Sequence, residues 1–154
     1  DWTPATSYPH YLEWKKDFEA GKARTVAAGA PTVEAQDNAP ESMLNWVRSL
    51  IKFRAETEAF WADSKFIPVF NEAQPYPMVF LRSNGKETYL IALNPTGERK
   101  TLTLSSEISD YKGATKGAKG LVAPAKSLGK ATYKCSGKGD VLTLGATSAL
   151  IVRL

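Results

Sequence analysis

Three groups of side chains in this sequence are of a type that could do chemistry. The first is a set of aromatic residues near the start: Trp2, Tyr8, Tyr11 and Trp14. A flat aromatic face can stack on a sugar ring or pack against another apolar surface, so these four are the candidate substrate-binding residues. The second group is two carboxylate pairs, Asp37 with Glu41 and Glu56 with Glu58. Two carboxyl groups that flank one bond can divide acid and base work between them. Their positions here fall on a helix or its cap, where such groups ordinarily meet water or cap the first turn. The third group is His10, the only histidine, and Cys135, the only cysteine. His10 has no clear Ser/Asp or Cys partner nearby in sequence to build a triad. A lone thiol forms no internal disulfide, and Cys135 is expected to be a small buried hydrophobe. No phosphate-binding glycine loop and no metal-ligand spacing is present, so no cofactor and no metal site is expected.

The 154 residues amount to about one domain. A hydrophobic fraction of 43% and a charged fraction of 23% fit a globular chain. No apolar run approaches the ~18 residues of a membrane span, so no membrane partner is expected. The sequence opens on Asp1 with no basic-then-apolar leader, which suggests a processed form or a piece of a longer protein. The cysteine count leaves the compartment open, cytoplasmic or secreted. The net charge of +4 is uneven: residues 1–104 hold 12 Lys and Arg against 13 Asp and Glu, and residues 105–154 hold 8 against 3. The basic residues of the second part are mostly lysines among Gly, Ala and Ser, without the arginines and interleaved aromatics of a nucleic-acid surface. They read as a solvated surface, and no nucleic-acid partner is expected.

The elements that position these groups follow from periodicity. Residues 1–37 are irregular, with Tyr11, Trp14 and Phe18 spaced for a short helix. A long amphipathic helix is expected over 38–62. Asn38 with Glu41 resembles a capping box, and Met43, Leu44, Val47, Leu50 and Ile51 form an apolar stripe that Trp46, Phe53 and Phe60 widen. From residue 63 to 154 the pattern turns to strands. Phe66 to Phe70 contains Pro68 and so reads as an edge strand. Met78 to Arg82 and Thr88 to Asn94 flank Asn84-Gly85, a hairpin signal in which both central residues can take positive φ. Arg99 to Leu104 reads as a third strand of the same meander, Tyr111 to Gly120 as loop, and Ala131 to Cys135, Val141 to Leu144 and Ser148 to Leu154 as later strands. Short strands at this spacing point to an antiparallel β-sandwich, mainly β with an N-terminal helix.

This order of elements resembles the C-terminal end of an α-amylase superfamily enzyme, glycoside hydrolase family 13, of the α-glucosidase or trehalose-synthase-like kind. The resemblance runs from about Pro31 to Leu154. Thr32 to Gln36 is similar to the segment before the last barrel helix. Ser42-Met43-Leu44-Asn45-Trp46 and Leu50-Ile51-Lys52-Phe53-Arg54 are similar to that helix, usually written S-L-L-N-x-x-x-x-L-I-x-L-R. Val79 to Arg82 and Tyr89 to Asn94 resemble the first hairpin of the β domain after the barrel, and Ser148 to Val152 its closing strand. Asp1 to Pro4 is faintly similar to a D-x-T-P loop of α-glucosidases, but the Met and Trp that usually follow are not in place.

The resemblance implies a chain carrying the last helix of a truncated (β/α)₈ barrel and the C-terminal sandwich. A complete barrel needs at least ~200 residues, and only 37 precede Asn38. The family's catalytic acids lie upstream, so no catalytic residue carries over to this sequence. The parent would be a retaining α-glycosidase acting on α-glucans or oligosaccharides. This part would stabilise and shield its catalytic barrel without performing chemistry. A free-standing carbohydrate-binding sandwich that uses the N-terminal aromatics is the alternative. A helix without its barrel leaves a wide apolar face exposed. Either Tyr11, Trp14 and Phe18 fold back over it, the favoured expectation, or the chain forms a homodimer through it.

Overall fold

In this computed structural model the described residues are 16, 19–21, 33–69, 76–104, 120–136 and 139–154. The chain divides into two compact units, Asp1–Ile51 and Lys52–Leu154.

In the first unit, helix α1 spans Val33–Asp37, and helix α2 begins at Met43 and continues to Glu56 in the second unit. The long helix is thus shorter than the expected 38–62, for a reason visible at its start. Asn38 does not cap it. The Asn38 backbone N–H and side-chain amide both donate to Glu34 O, at 3.1 Å each, which closes α1 instead. The cap of α2 is Ser42, whose Oγ accepts from Asn45 N at 3.2 Å and donates to Gln36 O at 2.6 Å. Asn45 Nδ2 then donates to the carbonyls of Gln36, Asp37 and Ala39, and Arg48 pairs with Asp37. These contacts fix the α1–α2 corner. No residue of α2 is buried: Met43, Val47 and Ile51, at i, i+4 and i+8, are 61%, 42% and 64% exposed.

In the second unit, α2 ends at Glu56 because Thr57 is extended and buried, and a single 3₁₀ turn, Glu58–Phe60, follows. Among the described residues nine strands come next: β1 Lys65–Pro68, β2 Met78–Ser83, β3 Thr88–Asn94, β4 Lys100–Leu104, β5 Gly120–Leu121, β6 Pro124–Leu128, β7 Ala131–Cys135, β8 Asp140–Leu144 and β9 Ser148–Arg153. They form a five-stranded sheet in the order β1-β2-β3-β9-β6 and a four-stranded sheet in the order β4-β8-β7-β5, with every pair antiparallel. Val79, Leu81, Leu90, Ala92, Leu150 and Val152 of the first sheet share one core cluster with Leu104, Tyr133, Leu142 and Leu144 of the second. This is the antiparallel sandwich expected, with alternate residues inside.

Two expectations change. β4 is not the third strand of a meander: it leaves β3 and pairs with β8 in the other sheet. The reason lies at Asn94, 1% exposed. Its Nδ2 donates to Glu98 O at 2.7 Å and to Gly145 O at 2.6 Å, and its Oδ1 accepts from Thr96 Oγ1 at 2.8 Å. These bonds hold a corner that carries the chain across the sandwich. The β2–β3 connection is also different in kind. It is a four-residue loop, Asn84 to Glu87, closed by the Ser83–Thr88 pair. Only Gly85 within it has positive φ, at +87°. Asn84 acts through its side chain, with Oδ1 accepting from Lys86 N at 3.0 Å and from Glu87 N at 2.9 Å. Pro68 does lie in an edge strand, as expected. β5 and β6 are additional strands, and residues 111–119 of the expected loop lie outside the described residues.

The registers also fix the outer faces. On the five-stranded sheet, three rows cross the strands: Phe66, Arg82, Tyr89 and Arg153; Pro68, Phe80, Ile91, Ile151 and Lys126; and Met78, Leu93, Ala149 and Leu128. On the four-stranded sheet the rows are Thr101, Thr143 and Thr132, then Thr103, Val141 and Lys134. One outer face is apolar, and the other is mostly threonine and lysine.

Candidate functional site

The apolar outer face carries a second hydrophobic cluster, outside the sandwich core. α2 places Phe53 on it, and the 3₁₀ turn adds Ala59 and Phe60. They pack with Tyr89, Ile91, Phe80 and Ile151. Phe53 meets Tyr89 edge-on at 5.8 Å between ring centroids, Phe53 meets Phe60 at 5.4 Å, and Phe60 lies 5.3 Å from Tyr89. Such pairs contribute about 0.5–1.5 kcal/mol beyond the area they bury. Phe66 and Phe80 stack at 5.0 Å on the flank, where Arg82 Nη2 donates to Trp61 O at 2.5 Å. The Tyr89 hydroxyl points towards Glu87 Oε2, at 3.4 Å, and Arg153 lies 3.5 Å from the same carboxylate. Burial, and then the Glu87 charge, push the Tyr89 phenol above its ordinary value, while Arg153 pulls against them.

Inside the sandwich, Tyr133 and Asp140 form a buried polar pair. The Tyr133 hydroxyl donates to Asp140 Oδ2 at 2.5 Å, and Ser136 N donates to Asp140 Oδ1 at 3.3 Å. The pair ties β7 to β8. Where the sheets part beside β5 and β6, a cleft of about 330 Å³ is lined by apolar groups of Leu121, Val122, Pro124, Ala131 and Leu150. Among the described residues no charged side chain lines it.

The residues singled out from the sequence fall in several places. Trp2, Tyr8, Tyr11 and Trp14 lie outside the described residues, as do His10 and Phe18. Three of the four carboxylates have their own partners. Asp37 is engaged by Arg48, Glu56 by Lys52 at 3.8 Å, and Glu58 accepts from Asn84 Nδ2 at 3.3 Å. The Cys135 thiol is buried in the core cluster, as expected. Among the described residues no group of three or more His, Cys, Asp or Glu could hold a metal ion, and no helix is long and apolar enough to cross a membrane. In the sequence Tyr89 and Ile91 show only as hairpin residues. The signal was their alternation with Leu90 and Ala92: a strand apolar on both sides is covered on both sides.

No protein-family model matches the chain, and no curated protein does. Solved structures do. The trehalulose synthase MutB from Pseudomonas mesoacidophila MX-45 superposes with a TM-score of 0.60 at 19% identity, over 79% of this chain and 19% of that one. A variant of the isomaltulose synthase from Erwinia rhapontici NX5, in complex with D-glucose, gives 0.57 at 22% identity, over 80% and 20%. A MutB variant in complex with its substrate sucrose gives 0.61 at 19% identity, over 79% and 19%. The chain thus spans about one fifth of the length of these enzymes. The likeness shows the fold, two antiparallel sheets that follow a short helical region in sequence.

Proposed function

We propose that this chain is the non-catalytic C-terminal part of an α-amylase-family enzyme acting on α-glucans or oligosaccharides, and that it stabilises and shields the catalytic barrel. Residues 1–37 are the remnant of the barrel region, 38–62 hold its last helix, and 63–154 are the sandwich domain. The observation that carries this reading is the exposed stripe of α2. An amphipathic helix with no buried residue, preceding in sequence a sandwich found in enzymes about four times as long as this chain, suits a helix whose main partner is a barrel. The parent would act on its glycosidic bond with retention, using two carboxyl groups about 5–5.5 Å apart at the ends of barrel strands. Substrate contact by Trp2, Tyr8, Tyr11 and Trp14 belongs to the same proposal. Purified chain should turn over neither maltose, isomaltose, sucrose nor soluble starch, whereas the polypeptide encoded by the complete gene should turn over at least one. Turnover by the chain that vanishes on replacing one of its own carboxylates would overturn the reading. Tight glucan binding by the chain, with an inactive complete polypeptide, would replace it with a free-standing sugar-binding module.

A further inference from the structure

We infer that Asn84 is a self-deamidation site, at which the β2–β3 loop converts its own asparagine into aspartate and isoaspartate. The inference is independent of the barrel reading. The nucleophile is the backbone nitrogen of Gly85, the next residue in the chain. Gly85 is exposed and has no Cβ to shield that nitrogen, and nothing lies within 4 Å of the place a Cβ would take. The nitrogen bonds to Asn84 Cγ and gives up its proton. The Cγ–Nδ2 bond breaks, and Nδ2 leaves as ammonia with that proton. A cyclic imide remains. One water then opens it, at Cγ to give aspartate or at the main-chain carbonyl to give isoaspartate.

Three sets of contacts serve these steps. Asn84 Oδ1 accepts from Lys86 N at 3.0 Å and from Glu87 N at 2.9 Å. These partners fix which end of the amide is oxygen. They also place two donors on the atom that turns negative as Cγ becomes tetrahedral, the stabilisation an oxyanion hole gives. Gly85 N–H donates to Ser83 Oγ at 3.2 Å, so the proton that must leave already faces an acceptor. Asn84 Nδ2 donates to Glu58 Oε2 at 3.3 Å. A carboxylate there favours the ammonium-like nitrogen that forms before the bond breaks. The other described asparagines lack this set. Asn94 is buried and precedes Pro95, whose nitrogen carries no hydrogen. Asn38 and Asn45 precede Ala39 and Trp46, whose side chains shield the nitrogen. Conversion also changes the loop: an aspartate at 84 sets like charge against Glu58, and an isoaspartate lengthens the main chain between β2 and β3.

Incubation of the purified chain at neutral pH, folded and in guanidinium chloride, tests this. Mass spectrometry follows the peptide that carries residue 84, and an isoaspartyl methyltransferase marks the isoaspartate. The folded chain should convert Asn84 at least about threefold faster than the unfolded chain, with Asn94 intact in both. Gly85→Ala should slow both states. Glu58→Gln should slow the folded rate and leave the unfolded rate unchanged, in a variant whose circular dichroism matches the parent. A folded rate equal to or below the unfolded rate would overturn the inference, because the loop would then protect its asparagine. Conversion first at Asn38 or Asn45 would overturn it as well. An unchanged folded rate in Glu58→Gln would overturn the part given to that carboxylate.

Discussion

Two asparagines open the connections after consecutive strands, and they do different work. Asn84 begins the β2–β3 loop at the surface, where its Oδ1 accepts two backbone N–H groups and the chain turns back into the same sheet. Asn94 begins the β3–β4 connection in the interior, where its amide gathers the carbonyls of Glu98 and Gly145, and the chain passes to the other sheet. In both cases a short amide side chain replaces missing backbone partners. The difference is access to water. A surface turn that loses its side chain is re-solvated, whereas a buried corner that loses it leaves polar groups short of partners. The first device sets a local reversal. The second decides which sheet the next strand joins.

That contrast sets the sizes of the expected effects. The largest belongs to the corner. Asn94→Ala should lower unfolding free energy by about 2–3 kcal/mol, because a buried side chain gives up its bonds to Glu98 O, Gly145 O and the Thr96 hydroxyl together. Asn84→Ala should cost about 0.5–1 kcal/mol, because water takes over. Urea midpoints of the two variants, measured at equal slope, decide the matter, and equal losses would break the comparison. An intermediate effect belongs to Gly85→Val. A Cβ there meets nothing within 4 Å, so only the +87° φ resists it. The cost should be about 1–3 kcal/mol of backbone strain. A matching loss from Gly97→Val, where φ is not in the left-handed region and space is equally open, would show that strain is not the cause.

The smallest effect belongs to Tyr89, beside the surface loop. Its phenol is held above the ordinary value of about 10, first by burial and then by Glu87. The folded chain therefore binds that proton more tightly than the unfolded chain. The associated stability is complete below about pH 10 and is lost as pH rises through the folded value. Tyr89→Phe should change stability little at neutral pH, since the hydroxyl makes only a 3.4 Å contact with Glu87. It should also remove part of the decline above about pH 10. Identical alkaline profiles for the two proteins would show that Tyr89 ionises as freely folded as unfolded.

How far the sequence shows the fold follows from the same physics. β2, β3, β7, β8 and β9 were legible because they carry alternating or fully apolar runs with β-branched residues, which a half-buried strand selects. β6, Pro124–Leu128, was not: it lies at an edge, most of its residues are exposed, and its sequence PAKSL shows no alternation. The start of α2 was misplaced because Asn38 and Ser42 both have capping side chains. Only the contacts of Ser42 with Gln36 and Asn45 show which one caps the longer helix. The path of β4 was hidden because Asn-Gly and Asn-Pro both mark turns locally, while the carbonyl that redirects the second comes from Gly145, far along the chain. For the candidate site, the aromatic residues of α2 were legible as packing residues. Their seat on Tyr89 and Ile91 was not, because it depends on which face of the hairpin the register turns outward.

Pro68 has a consequence for how this apolar sheet can associate. Val69 N donates to Val79 O at 2.9 Å, so alternate backbone positions of β1 face β2, and the Pro68 nitrogen faces away from it. The free edge of β1 thus lacks the donor that an incoming strand would need at that position. The opposite edge strand, β6, opens with Pro124 and is irregular between Pro124 and Lys126. A sheet with an exposed apolar face and two open edges would be a template for aggregation. With both edges blunted, growth strand by strand is disfavoured, and association is directed to the flat face. Contact through the face, rather than pairing at an edge, is therefore the mode of association that this sheet favours.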